Sequence, residues 1–167
     1  MTTPTRTPRL RRHLVAVVIG ALTAGLLAPT SAQAADPVRP TVVSLSTTPS
    51  AVTVPGTTSV QIRVAGPERP AYAQVTFVEP SGRPRTIQLA MTDDGPGEFT
   101  GTTAFAIEDG SENGHWKVRQ VYVPTPNLTN FVCDTTVQES FCTGHQDFSA
   151  VGVDVSGSVF DADAPVV

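Results

Sequence analysis

The stretch DGSENG carries oxygen-bearing side chains at the alternating positions that calcium-binding loops use. Asp109, Ser111 and Asn113 would be the first three ligands, and Gly114 follows at position six. Such a loop also needs a bidentate glutamate at position twelve, where this chain has the uncharged Gln120. The residues leading to that position, HWKVRQ, alternate as in a strand, and Asp, Ser, Asn and Gly are common turn residues. We therefore predict a turn here, with no metal and no cofactor.

A second acidic stretch lies at the end of the chain, FDADAPVV. It resembles the acidic linkers between modules of cadherin-type proteins, a resemblance that implies calcium bound by Asp161 and Asp163. Calcium takes six to eight oxygen ligands, so further ligands would have to come from Asp154 or a distant loop. We favour a solvated acidic terminus and keep a calcium-dependent adhesive module as an alternative.

Residues suited to catalysis are few. After removal of the leader described below, His115 and His145 are the remaining histidines, and neither lies in a nucleophile or zinc motif. Cys142 and His145 are close enough in sequence to form a thiolate–imidazole pair. A disulfide between Cys133 and Cys142 would remove that possibility, because the thiolate is the nucleophile. We therefore predict that the chain is not an enzyme.

The first 34 residues have the three parts of a secretory signal peptide. The basic start and the small residues before the cleavage position are Arg6, Arg9, Arg11, Arg12, Ala32 and Ala34. The apolar run between them has about 15 residues, fewer than a membrane-spanning helix needs. We predict cleavage after Ala34, by the Sec or the Tat route, and a secreted, extracellular protein without membrane insertion.

Predicted export changes the net charge of the chain and determines how its two cysteines are interpreted. Loss of four of the 11 basic residues leaves seven against 15 acidic residues, a net charge of −8. This charge argues against nucleic acid and anionic membranes as partners. Two cysteines in an exported chain favour one disulfide, Cys133–Cys142, whose short loop would contribute about 2 to 3 kcal/mol.

Residues 35–167 alternate apolar and polar side chains in many short runs, which is typical of half-buried strands. The predicted strands lie at residues 41–47, 50–54, 58–64, 72–78, 85–91, 98–107, 115–123 and 147–155. Val43 and Leu45 would share the buried face of the first strand. The phase of alternation slips by one near Arg119 and Gln120, which predicts a β-bulge, and Gly101 indicates a bulge or a close approach.

These runs predict an all-β fold, an antiparallel β-sandwich of about seven to nine strands. We expect a single domain over residues 35–167, with an acidic tail from about residue 156. Trp116, the one tryptophan of the chain, lies in phase with the apolar side chains and is predicted to be buried.

The order of LSTTPSAVTV, VQIRV, VTFVEPSG, GEFTGTTAF and GHWKVRQVYV resembles the immunoglobulin-like modules of secreted bacterial proteins. The resemblance covers most of residues 41–130. It implies a non-enzymatic spacer, adhesion unit or accessory binding module, with an extracellular protein or a cell-surface component as partner. The oligomeric state stays open.

The segment CDTTVQESFCTGHQDFS resembles the disulfide hairpin of neocarzinostatin-type apoproteins, which implies an alternative function as a small-molecule carrier. It differs from that family in lying near the end of the chain and in lacking a second disulfide. Phe131, Phe141 and Phe148 flank this segment and would either pin the loop to the fold or line a shallow apolar site. Tyr72 and Tyr122 point away from the predicted core. If the module binds a partner, we expect the loop and its neighbours to do so.

Overall fold

The computed structural model describes residues 38–159. The predicted signal peptide, Asp161 and Asp163 lie outside these residues. Within the described part, all regular secondary structure is β-strand. In chain order the strands are β1 (Thr41–Thr48), β2 (Ala51–Thr53), β3 (Gly56–Ala65), β4 (Tyr72–Val78), β5 (Pro84–Ala90), β6 (Thr92–Gly95), β7 (Glu98–Ile107), β8 (Gly114–Pro124), β9 (Thr129–Asp134), β10 (Gly144–Gln146) and β11 (Gly152–Ser156). Among residues 38–159 there is accordingly no helix with the length and apolarity to cross a membrane.

The first sheet has four strands in the order β1-β3-β7-β6, all antiparallel to their neighbours. Strand β3 shows the predicted alternation, because Val60, Ile62 and Val64 are fully buried between exposed or half-buried polar residues. Its partner β7 contributes apolar side chains at the same period. Gly101 of β7 lies where an added Cβ would come 2.7 Å from Met91 Sδ, so the predicted close approach is confirmed.

The second sheet has seven strands arranged around β8. One side of β8 pairs with β4, which in turn pairs with β5. The other side changes partner along its length: residues 114–117 pair with β11, and residues 120–124 pair with β9. Arg119 is the additional residue at this changeover, because Val118 pairs with Phe77 and Gln120 with Thr76. The bulge predicted from the phase slip is therefore confirmed.

Buried side chains of both sheets form one core cluster. Aromatic contacts join the sheets, since Phe105 of β7 lies 5.4 Å from Phe77 of β4 and 6.0 Å from Trp116 of β8, measured between ring centroids. Trp116 is fully buried, as predicted, and its indole Nε1–H donates a hydrogen bond of 2.9 Å to the carbonyl oxygen of Glu112. A buried indole needs such a partner for its single donor.

The predicted number and direction of strands were wrong in part. Residues 38–159 contain eleven strands instead of the predicted seven to nine, because β6, β9 and β10 lie outside the segments that were predicted as strands. Two pairings, β2 with β11 and β9 with β10, are parallel, so the second sheet is mixed. The last strand begins at Gly152, later than predicted.

The buried face of β1 was also assigned incorrectly. Val42 and Leu45 are buried, whereas Val43 is 53% exposed. The pairing of β1 with β3 shifts between Val42 and Ser44, so Val43 is an extra residue that reverses the alternation. A bulge of this kind leaves no local signal in a run of two valines.

Candidate functional site

The stretch with calcium-like spacing is a turn that leads into β8. The Asn113 side chain donates from Nδ2 to the Ser158 carbonyl and accepts from the Ser158 backbone N–H, both at 2.9 Å. Ser111 is buried, and the backbone N–H of Ser81 donates to Glu112 Oε2 at 2.9 Å. These side chains connect neighbouring segments of the fold instead of converging on one point. Within residues 38–159, no group of three or more His, Cys, Asp or Glu side chains is placed to hold a metal.

The candidate catalytic side chains are not assembled into a reactive pair. Cys133 and Cys142 are joined in the predicted disulfide, with Cα atoms 5.7 Å apart. His145 Nε2 lies 3.0 Å from the Val137 carbonyl oxygen, and His115 Nδ1 lies 2.7 Å from a carboxylate oxygen of Asp154, its partner directly across the strand pair. The sulfur of Cys142 is therefore not a thiolate next to His145.

Residues 135–143, which we call the disulfide loop, are held against β8 and β9 by three kinds of contact. Cys133 of β9 carries the disulfide. Arg119, the bulged residue of β8, forms an ion pair with Glu139 of the loop, 3.0 Å between Nη2 and Oε1. The Thr143 hydroxyl receives a hydrogen bond of 2.8 Å from the Phe131 backbone N–H. The bulge thus supplies the cation that fixes the loop.

The Asp134 carboxylate is a second anchor at the start of the loop. It accepts hydrogen bonds from the backbone N–H and hydroxyl of Thr136, at 2.9 and 2.6 Å, and from the Phe148 backbone N–H at 2.9 Å. Partial burial by itself would raise the pKa of Asp134, but the hydrogen bonds from Thr136, Phe148 and Thr135 outweigh it and lower the pKa from its ordinary value of 3.8. Phe148 is buried in the core and anchors the chain that follows the loop. Pinning the loop to the fold was one of the two roles predicted for it.

A groove of about 560 Å³ opens beside the disulfide loop, and we call it the Lys117 groove. It lies where β8 changes partner from β11 to β9, between the end of β4 and the segments on either side of the loop. Its lining residues are Val78, Gly82, His115, Lys117, Val118, Arg119, Asp134, Thr136, Val137, Phe148 and Ser149. The walls are therefore largely apolar, with cationic groups on the β8 side.

Lys117 is the one lysine in the sequence. Four arginines are ion-paired, namely Arg63, Arg69, Arg85 and Arg119, whereas Arg39 and Arg83 form no ion pair within residues 38–159. Lys117 is exposed, and within residues 38–159 its ammonium group has no hydrogen-bonded or ion-paired partner. The Asp134 carboxylate in the same groove is already bonded to three donors of the chain.

Four aromatic side chains form a continuous row, the aromatic strip, on the outer face of the second sheet. Tyr72 of β4, Tyr122 of β8 and Phe131 of β9 are half-buried, and Phe141 of the disulfide loop is 42% exposed. The ring centroids are 6.2 Å apart for Tyr72–Tyr122, 4.5 Å for Tyr122–Phe131 and 5.6 Å for Phe131–Phe141. The pKa of Tyr122 is raised by desolvation and, less strongly, by the neighbouring Tyr72 hydroxyl.

The geometry of the strip decides what it can recognise. The planes of Tyr122 and Phe131 are only 32° apart at 4.5 Å, so these two rings cover one another's faces. Phe141 meets Phe131 edge to face, at 69°. Neighbouring rings of the strip are therefore tilted against each other by 32° to 69°, and they do not form the flat platform on which a sugar ring would stack.

Sequence reasoning identified part of this surface. It placed Tyr72 and Tyr122 on the outer face and Phe131 and Phe141 next to the disulfide, and the structure brings all four together. It missed Lys117 and the role of Arg119, although the phase slip at Arg119 was the available signal for an irregular site on β8.

Comparison with known proteins gives a distant structural likeness. No family profile matches the chain, and no curated protein matches it. Among solved structures, Cwp6 from Clostridium difficile is similar with a TM-score of 0.47 and 9% sequence identity. The likeness covers 74% of this chain and 18% of the other, so this chain spans less than a fifth of that structure's length. The function is accordingly argued from this chain's own residues.

Proposed function

We propose that the chain is an exported, non-enzymatic interaction module with an immunoglobulin-like β-sandwich fold. Two sheets that share one core cluster support the fold, and the sequence pattern of the first 34 residues supports export. The candidate nucleophile Cys142 lies in a disulfide, which is the arrangement expected of a structural or binding module. The module acts outside the cell by binding another protein.

The aromatic strip is the observation that carries this proposal. Tyr and Phe are enriched in the centres of protein interfaces, and clustered aromatic side chains supply much of the binding energy there. The hydrophobic interior already contains Trp116, Phe77 and Phe105, so the strip is a separate aromatic cluster on the opposite face of the same sheet. Its rings are tilted against each other, and such an uneven surface suits the pockets of a partner protein better than the flat face of a sugar ring.

The disulfide loop completes this surface. Phe141 extends the strip beyond the sheet, and its neighbour Cys142 ties it to β9 through Cys133. The Arg119–Glu139 ion pair holds the same loop from the side of β8. An interface residue that is fixed before binding loses less conformational entropy on association. The disulfide therefore restrains Phe141 more than the exposed ion pair does, since a pair of this kind contributes only about 0 to 1 kcal/mol.

Photo-crosslinking in the cells that naturally export the protein tests the proposal. A photoreactive phenylalanine analogue replaces Phe141 in one variant and Val43 in the control, because Val43 is comparably exposed but lies on the other sheet. We expect a discrete protein adduct from position 141, its loss when Tyr122→Ser is added, and no such adduct from position 43. The same adducts from both positions, or none from position 141, would contradict the proposal.

A further inference from the structure

The Lys117 groove is a binding site of a different kind from the aromatic strip. Its volume of about 560 Å³ lies within the range of small-molecule sites, roughly 300 to 1,000 Å³, and a protein surface could not enter it. Val78, Val137 and the ring of Phe148 provide apolar walls. A ligand with an apolar body would remove the half-buried Val78 and Val137 from water and would contact Phe148, which is already buried.

The charged groups around the groove determine whether it prefers an anionic or a cationic ligand. Lys117 lies in the groove without a carboxylate partner, while Asp134 in the same lining is saturated by hydrogen bonds from Thr136 and Phe148. The other acidic groups nearby are committed, Glu139 to Arg119 and Asp154 to His115. Asp134 keeps its negative charge, because its donors are neutral, but its oxygens are occupied by them. The lysine ammonium is the cation of the groove lining that has no ion-paired carboxylate within residues 38–159.

Arg119 adds a second donor. Its contact with Glu139 uses Nη2. No other group within residues 38–159 accepts a hydrogen bond from the guanidinium, so its remaining N–H groups can donate to a ligand. An ammonium and a guanidinium on one strand, two residues apart, are suited to the two oxygens of a carboxylate. A cation that faces a partly apolar groove interacts more strongly with an anion than it would in open water.

We infer that the Lys117 groove binds a small amphiphilic carboxylate, with its carboxylate at Lys117 and Arg119 and its acyl or aryl body against Val78, Val137 and Phe148. This site is independent of the protein interface proposed for the aromatic strip. It gives the module a second, small-molecule specificity at the start of the disulfide loop.

The single lysine makes a localised test possible. Reductive ¹³C-methylation of the exported form labels Lys117 and the α-amino group, and it keeps both charges. Decanoate, below its micelle concentration, is expected to shift the Lys117 methyl signal in an NMR titration and to leave the α-amino signal in place. Decanol, with the same chain and no charge, is expected to shift neither signal at equal concentration.

Calorimetry on variants then measures the contribution of the charge. Lys117→Gln is expected to weaken decanoate binding about tenfold or more, the usual effect of losing a hydrogen bond to a charged group. Lys117→Arg should restore binding to within about threefold. The matched control Arg39→Gln removes one positive charge near Thr129 and should leave the affinity unchanged.

Equal binding of decanoate and decanol, an unchanged affinity in Lys117→Gln, or no decanoate binding at all would each overturn the inference. Phe141→Ser is expected to bind decanoate like the wild type, because Phe141 belongs to the strip and not to the groove lining. Failure of the groove and failure of the strip are therefore distinguishable.

Discussion

Removal of Arg85 is expected to destabilise the fold far more than its position near the surface suggests. Arg85 Nε lies 2.9 Å from Glu79 Oε1, and the Glu79 side chain is only 3% exposed. The two atoms are not aligned for a hydrogen bond, so the contact is an ion pair. The guanidinium carbon also lies 5.9 Å from the centroid of the Trp116 ring, over its face. Arg85→Met keeps most of the apolar length of the side chain but leaves a carboxylate buried without its cation.

The size of the effect follows from burial. Breaking a buried ion pair from one side costs about 3 to 5 kcal/mol, and because the Arg85 side chain is 35% exposed we expect the lower end, about 3 kcal/mol. Loss of the cation–π contact adds roughly 0.5 to 1 kcal/mol. The matched control is Arg63→Met, which loses two exposed pairs, with Glu98 and with Asp94, whose carboxylate side chains are 50% and 45% exposed. Each such pair contributes about 0 to 1 kcal/mol.

Urea unfolding followed by circular dichroism measures both changes in the free energy of unfolding. The double variant Glu79→Leu/Arg85→Met should recover most of the stability, because it removes the buried charge together with its partner. Equal losses in Arg85→Met and Arg63→Met, or no recovery in the double variant, would show that the Glu79 carboxylate is effectively solvated and that the reasoning is wrong.

The remaining predictions concern the loop, the core and metal. Replacing Cys133 and Cys142 by alanine should lower the free energy of unfolding by about 2 to 3 kcal/mol, measured in urea, and reductant should have no further effect on that variant. Since the pKa of Asp134 is lowered below 3.8, its contribution is present above that pH and is lost as pH falls through the folded pKa. The gap in melting temperature between wild type and Asp134→Asn should therefore be full near neutral pH and close in acid. Trp116 fluorescence should resist iodide quenching in the native state and become quenchable in urea; a quenchable native signal would contradict its burial. Calcium or chelator should leave the melting temperature unchanged, and a rise with calcium would favour the adhesive alternative.

The sequence predicted the features of the fold that depend on local pattern. Alternation in β3 identified its buried face, the phase slip located the bulge at Arg119, and the apolar context of Trp116 placed it in the core. The cysteine count, in a chain predicted to be exported, indicated the disulfide. Each of these signals lies within a few residues of the feature that it predicts.

What could not be predicted depends on contacts between distant segments. β9 and β10 are short and polar in places, and they are strands because β9 pairs with β8 and β10 pairs with β9. The alternation of Tyr122 indicated an outward side chain, but only the register of β8 with β9 places it opposite Phe131. The Lys117 groove exists because β8 changes partner, which no pattern in residues 115–120 reveals.

The parallel pairing of β2 with β11 has a mechanical consequence. β2 follows β1 closely and β11 ends the described strands, so tension applied at Thr41 and Ser156 pulls these neighbours in opposite directions along their length. The flanking hydrogen bonds from Val54 N–H to the Ser156 carbonyl, 2.9 Å, and from Asp154 N–H to the Ser50 carbonyl, 2.7 Å, are then loaded together in shear. Under such a load the pairing of β2 with β11 separates only when its hydrogen bonds break together.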